Sequence, residues 1–147
     1  MIEKVIFLIL GGVIGFTFSC FTWKLQTRYE KKNIARALYI GISSLEDRLK
    51  AFVGTFKNPL FRDNPIKVNQ PFYDTEGLFF NFRKEISSFN KDLSNSLFEF
   101  YTYLIRAEEF RQIEDSDMFF KEVNKAMKDY LEKAYNLLPR LKKLLEN

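Results

Sequence analysis

The residues with the clearest capacity for chemistry are two neighbouring carboxylates, Glu108 and Glu109, flanked by Arg106 and Arg111. Paired carboxylates act as acid and base when their surroundings split their pKa values. Consecutive helix residues point about 100° apart, so these two do not converge on one reacting atom. A solvated helix face with local ion pairs is the reading their spacing supports. Glu46, Asp47 and Arg48 form a second cluster of the same kind. The hydroxyls of Ser43, Ser44, Ser87 and Ser88 have no histidine to activate them, because the chain contains none. That absence removes the commonest general base and metal ligand, and with it the Glu-x-x-His pairs of a helical di-iron site. Neither glycine-rich phosphate-binding loop, GxxxxGKS/T or GxGxxG, occurs. Cys20 is the only cysteine, so it forms no disulfide within the chain and no thiolate cluster. No catalytic residue, cofactor or metal is therefore expected, and the chain reads as a non-enzyme.

The elements that carry these residues start with a run free of charge, 5–23, VIFLILGGVIGFTFSCFTW, behind a short tail, 1–4. As a helix it reaches roughly 28 Å, close to the roughly 30 Å hydrocarbon core of a bilayer. Within lipid the backbone must satisfy its own hydrogen bonds, which makes a transmembrane helix its natural form. Lys24, Arg28, Lys31, Lys32 and Arg36 follow at once, with Trp23 at the interface. The positive-inside rule then sets a single-pass protein of the cell membrane, N-terminus outside and C-terminal domain cytoplasmic. The same cations suit contact with anionic lipid. Between Lys24 and Lys50 seven Lys/Arg face three Asp/Glu, whereas the signs balance from Ala51 onward. No basic face on the folded part points to nucleic acid. A cleaved signal peptide ending before Cys20, with an exported envelope domain, is the competing reading of the same run. Gly11, Gly15 and Ser19 recur every four residues on one helix face, a spacing that allows two membrane helices to approach closely as a homo-oligomer.

Beyond the run, three amphipathic segments with apolar residues three and four apart are expected. The first, juxtamembrane segment, 24–56, carries Ala35, Leu38, Ile42, Leu45, Leu49, Phe52 and Phe56. A Pro-rich loop, 57–77, holds Pro59, Pro65 and Pro71. At its end 72–79 fits either a hairpin with Gly77 in a left-handed conformation or a helix start capped by Asp74 or Thr75. The remainder, 78–147, supplies two further helices. One spans Leu78 to Ile113 through Phe82, Ile86, Phe89, Leu93, Leu97, Phe100, Leu104 and Ala107, with a soft point at Ser94-Asn95-Ser96. The other follows a cap at Asp115 or Ser116, repeats through Phe120, Val123, Met127, Tyr130, Ala134, Leu137, Leu141 and Leu144, and is divided at Pro139. The expected fold is all-α: a single N-terminal transmembrane helix, then an antiparallel three-helix, coiled-coil-like bundle with the long loop between its first two helices. With 17 Phe, 7 Tyr and 1 Trp, the chain has ample material for a core. Phe72, Tyr73, Phe98, Tyr101 and Tyr103 exceed what one seam buries and form the candidate surface for a protein partner. The function these features support is a membrane-anchored, non-catalytic adaptor, assembly factor or regulator.

Overall fold

A computed structural model describes residues 2–57, 71–73, 77–113 and 120–147. Every regular element among them is helical: α1 (Ile2–Lys57), α2 (Leu78–Ile86), α3 (Lys91–Arg111) and α4 (Phe120–Glu146). The chain forms two compact units, Met1–Ile34 and Ala35–Asn147.

The first unit is the N-terminal part of α1. One 18-residue window here has a mean hydropathy of 1.9 and is long and apolar enough to cross a membrane. Its large side chains, from Ile6 through Leu25, are exposed. Its threonines turn inward on their own helix. Thr17 donates to the Val13 carbonyl at 2.7 Å and Thr22 to the Phe18 carbonyl at 3.0 Å. Such bonds hide hydroxyls that would otherwise be costly in an apolar medium.

The second unit is built on α3, which buries Leu93, Leu97, Phe100, Tyr101, Leu104 and Ala107. Most of these are the apolar positions expected from the sequence. From α1 come Leu38, Ile42, Leu49 and Val53, and from α2 Phe79 and Ile86. On α4 the buried positions are Met127, Leu131, Ala134, Leu138 and Leu141. The sequence pattern places Tyr130 and Leu137 in this seam. Leu131 and Leu138 take their places: a three-four spacing runs through either set, and packing in the folded unit buries these two. Tyr130 lies half-buried at the side, stacked on Phe110 at 5.9 Å.

Helix directions follow from side-chain pairs. Tyr39 donates to Glu146 at 3.2 Å and Lys142 to Glu46 at 2.7 Å, while Arg140 pairs with Asp92 and Tyr130 lies by Phe110. Residue numbers rise on α1 and α3 as they fall on α4. The expected order, in which the middle segment returns alongside α1, is therefore corrected: α3 runs with the part of α1 that belongs to the second unit, and α4 opposes both. The chain has already returned before α3 begins. Phe72 meets Phe52 at 4.9 Å, and Leu78 lies against Gly41.

The expected single helix 78–113 is two, divided at Ser87–Asn90 rather than at Ser94-Asn95-Ser96. Asn90 explains the position, because its side chain accepts from the Leu93 N–H at 2.8 Å as an N-cap. Ser94 is buried, and its hydroxyl donates to the Ile86 carbonyl, serving the end of α2. Gly77 is the N-cap of α2 at φ −75°, ψ 178°. That is extended backbone, so the expected left-handed glycine of a hairpin is not present. The capping roles expected of Asp74, Thr75, Asp115 and Ser116 lie outside the described residues, as do Pro59 and Pro65. α4 continues without a break through Pro139, whose ring sits on the exposed side. Water there can serve the carbonyl left without a donor.

Candidate functional site

About two turns of sequence bring one face of α1 to a cavity. Gly41, Ser44, Leu45 and Arg48 are three and four residues apart, so they share a stripe. Opposite them stand Pro71, Phe72 and Tyr73, the start of α2 at Gly77, Leu78 and Phe79, and Tyr101 of α3. Together they line a half-open cavity of about 310 Å³. Gly41 allows the close approach, since a Cβ there would lie 2.8 Å from a Leu78 methyl. Phe79 stacks on Tyr101 at 4.1 Å and meets Phe98 edge-on at 5.6 Å. The Arg48 guanidinium reaches the Pro71 carbonyl at 3.4 Å.

One wall is fixed by Glu108. Its carboxylate accepts the backbone N–H of Phe72 at 3.0 Å, Gln112 at 3.0 Å, and a fork from Arg111 whose Nε lies at 2.9 Å from both oxygens. Only 7% of Glu108 is exposed, so the expected solvated face is corrected at this position. Glu109 alone keeps that role, paired with Arg106 at 2.9 Å. Burial raises the Glu108 pKa, but the bonds from Arg111, Gln112 and Phe72 together outweigh it. The group is held below its ordinary value of 4.5. In the folded chain Glu108 therefore binds fewer protons in acid than in the unfolded one. Its contribution to stability is complete above the ordinary carboxylate range and drains away as pH falls through the lower folded value. Glu108→Ala leaves the Phe72 N–H without its acceptor and removes the fork to Arg111, a cost of about 2–3 kcal/mol. Glu108→Gln costs less, and it flattens the loss of stability below about pH 4. Urea unfolding of the solubilised chain between pH 3 and 7 measures both.

The five aromatic residues expected to face a partner separate into two groups. Phe72 is 4% exposed and Tyr101 6% exposed, so these two are core residues, and their place on an outer surface is corrected. Their rings serve the cavity, because the return of the chain before α3 encloses them. Tyr73 is half-buried at the same cavity, and Phe98 is exposed at its edge through Phe79. Tyr103 lies elsewhere. Its hydroxyl donates to Glu99 at 2.9 Å, and Lys133 sits 5.9 Å from its ring centre.

Glu46, expected on a wet face with Asp47 and Arg48, instead bonds Lys142 across helices, while Arg48 turns toward the cavity. The i, i+3, i+4, i+7 spacing of Gly41 to Arg48 carried that signal. Ser44 donates to the Gly41 carbonyl at 2.7 Å and Ser87 to the Lys84 carbonyl at 2.6 Å, whereas the buried Ser43 hydroxyl has no partner among the described residues. None of the three is set beside a base. Among the described residues there is no group of three or more Cys, Asp or Glu fit to hold a metal ion.

In the first unit, a Cβ at Gly11 or Gly15 would meet nothing within 4 Å. Ser19, Trp23, Lys24, Arg28, Lys32 and Arg36 are exposed, and Lys31 is half-buried. No family model matches the chain, and no curated protein or solved structure is significantly similar to it.

Proposed function

We propose that the chain is a single-pass membrane protein that presents its C-terminal unit in the cytoplasm as a non-catalytic adaptor, assembly factor or regulator. One observation carries the membrane part: the apolar side chains from Ile6 through Leu25 are all exposed, with no protein surface over them among the described residues. Leaving so many large apolar groups in water is unfavourable by about 25 cal/mol per Å², and a bilayer covers them. The cations Lys24, Arg28, Lys31, Lys32 and Arg36 favour a cytoplasmic flank and contact with anionic lipid. The C-terminal unit is read as an antiparallel helical bundle with a coiled-coil-like seam, supported by the four-three spacing of Met127 to Leu141.

Non-catalytic action fits a chain without histidine whose buried carboxylate, Glu108, is already held by three partners. Phe98 and Phe80, both exposed, supply apolar side chains for a partner protein. A photo-crosslinking amino acid at Phe98 in cells tests this reading. A discrete adduct with a second protein is the expected product, and an absence of adducts at both Phe98 and Phe80 counts against it.

A homo-oligomer is the second reading, favoured by the open space along Gly11 and Gly15. Leucine at both positions keeps the stretch apolar and blocks close helix approach. On this reading the crosslinked dimer population in membranes falls severalfold in the double variant. An unchanged population removes the glycine face as the contact.

A further inference from the structure

The cavity of about 310 Å³ has room for roughly ten water molecules, at the small end of ligand pockets. Among the described residues its one charged side chain is Arg48, with hydroxyls from Ser44, Tyr73 and Tyr101. Arg48 is half-buried, and its one bond there is the long contact to the Pro71 carbonyl. No carboxylate lies within ion-pair distance of it among the described residues. α2 begins at the cavity with Gly77 as N-cap, no side-chain cap and no acidic residue in its first turn. Its first N–H groups therefore lack acceptors within the helix and carry the positive end of the helix dipole. Tyr101 is 6% exposed, and its phenol has no hydrogen-bond partner among the described residues. Burial, with a smaller effect from Tyr73, pushes its pKa well above the ordinary value, so at neutral pH it remains a donor. Around these groups Leu45, Phe72, Leu78 and Phe79 form apolar walls. Glu108, behind Phe72, is already engaged.

We propose that this cavity binds a small organic carboxylate, its head held by Arg48, Tyr101 and the first-turn amides of α2, its apolar body against Leu45, Leu78 and Phe79. A neutral ligand of the same shape leaves the guanidinium unserved, and inorganic phosphate gains nothing from the apolar walls. The site stands apart from the membrane reading, because every wall belongs to the C-terminal unit.

The test uses the full chain in detergent micelles, with empty micelles as blank, and ligand-observed NMR titration of phenylacetate, phenylacetamide and inorganic phosphate. Phenylacetate is expected to bind saturably, and the amide and phosphate much more weakly. Arg48→Met weakens phenylacetate about tenfold or more, Tyr101→Phe about fivefold, and Arg48→Lys retains part of the binding. Tyr101→Phe and Arg48→Lys preserve side-chain bulk, so they decide the matter if Arg48→Met does not fold. Equal binding of acid and amide, preference for phosphate, no saturable phenylacetate binding, or indifference to the Arg48 and Tyr101 substitutions each overturns the proposal.

Discussion

Arginine at both Ile9 and Val13 is expected to abolish stable membrane integration. Each arginine near the centre of a spanning helix costs about 2.5–3.5 kcal/mol on insertion. Together they outweigh several of the surrounding apolar side chains. Both positions are exposed in the first unit, so the substitutions break no packed contact of the folded protein. Alkaline extraction of membranes followed by sedimentation reads the effect. The parent chain stays with the pellet, and the double variant is released or degraded. Ile9→Ala with Val13→Ala, which removes bulk but adds no charge, is expected to remain in the pellet.

Phe100→Ala is expected to produce the largest loss of stability in the C-terminal unit, about 3–5 kcal/mol. Phe100 is fully buried at the middle of α3, edge-on to Tyr101 at 5.2 Å. Its removal leaves a void in the core, and a densely packed interior relaxes only partly into such a space. Because Tyr101 borders the cavity, the same substitution loosens the wall opposite Arg48. Denaturant unfolding followed by helical circular dichroism measures the change. Phe98→Ala, on the exposed edge of the same helix, is expected to cost much less.

The sequence made the helices and most of their buried faces legible because a helix repeats its contacts every three or four residues. Leu38, Ile42 and Leu49, and Leu93 through Ala107, were readable in this way. The path between helices was not. Periodicity says which face is apolar but not which neighbour covers it, so it could not reveal that α4 opposes both α1 and α3. The break before α3 had a local signal in Asn90, whose amide oxygen caps Leu93. Ser94 and Ser96 drew attention instead, yet both are buried. On α4, Leu137 and Leu138 are equally apolar neighbours, and only packing selects between them.

The cavity was legible in pieces. The aromatic excess at Phe72, Tyr73, Phe98 and Tyr101 marked the region, but aromatic residues are as suited to a core as to a surface. Burial decides between those roles, and it depends on contacts between residues far apart in sequence. Glu108 shows the same limit. Beside Arg111 it looks like an ordinary local pair. Its bond to the Phe72 N–H joins positions that nothing in the local sequence connects. Arg48 was hidden by its neighbours Glu46 and Asp47, although its spacing from Gly41 and Ser44 placed it on their face.

In the proposed arrangement α1 crosses a membrane with the C-terminal unit in the cytoplasm. Paired fusions after Asn147 test it most directly, one to a fluorescent protein that matures in the cytoplasm and one to a phosphatase active only outside it. A bright fluorescent fusion and an inactive phosphatase are expected. A dark fluorescent fusion with an active phosphatase would contradict the orientation and favour the exported reading.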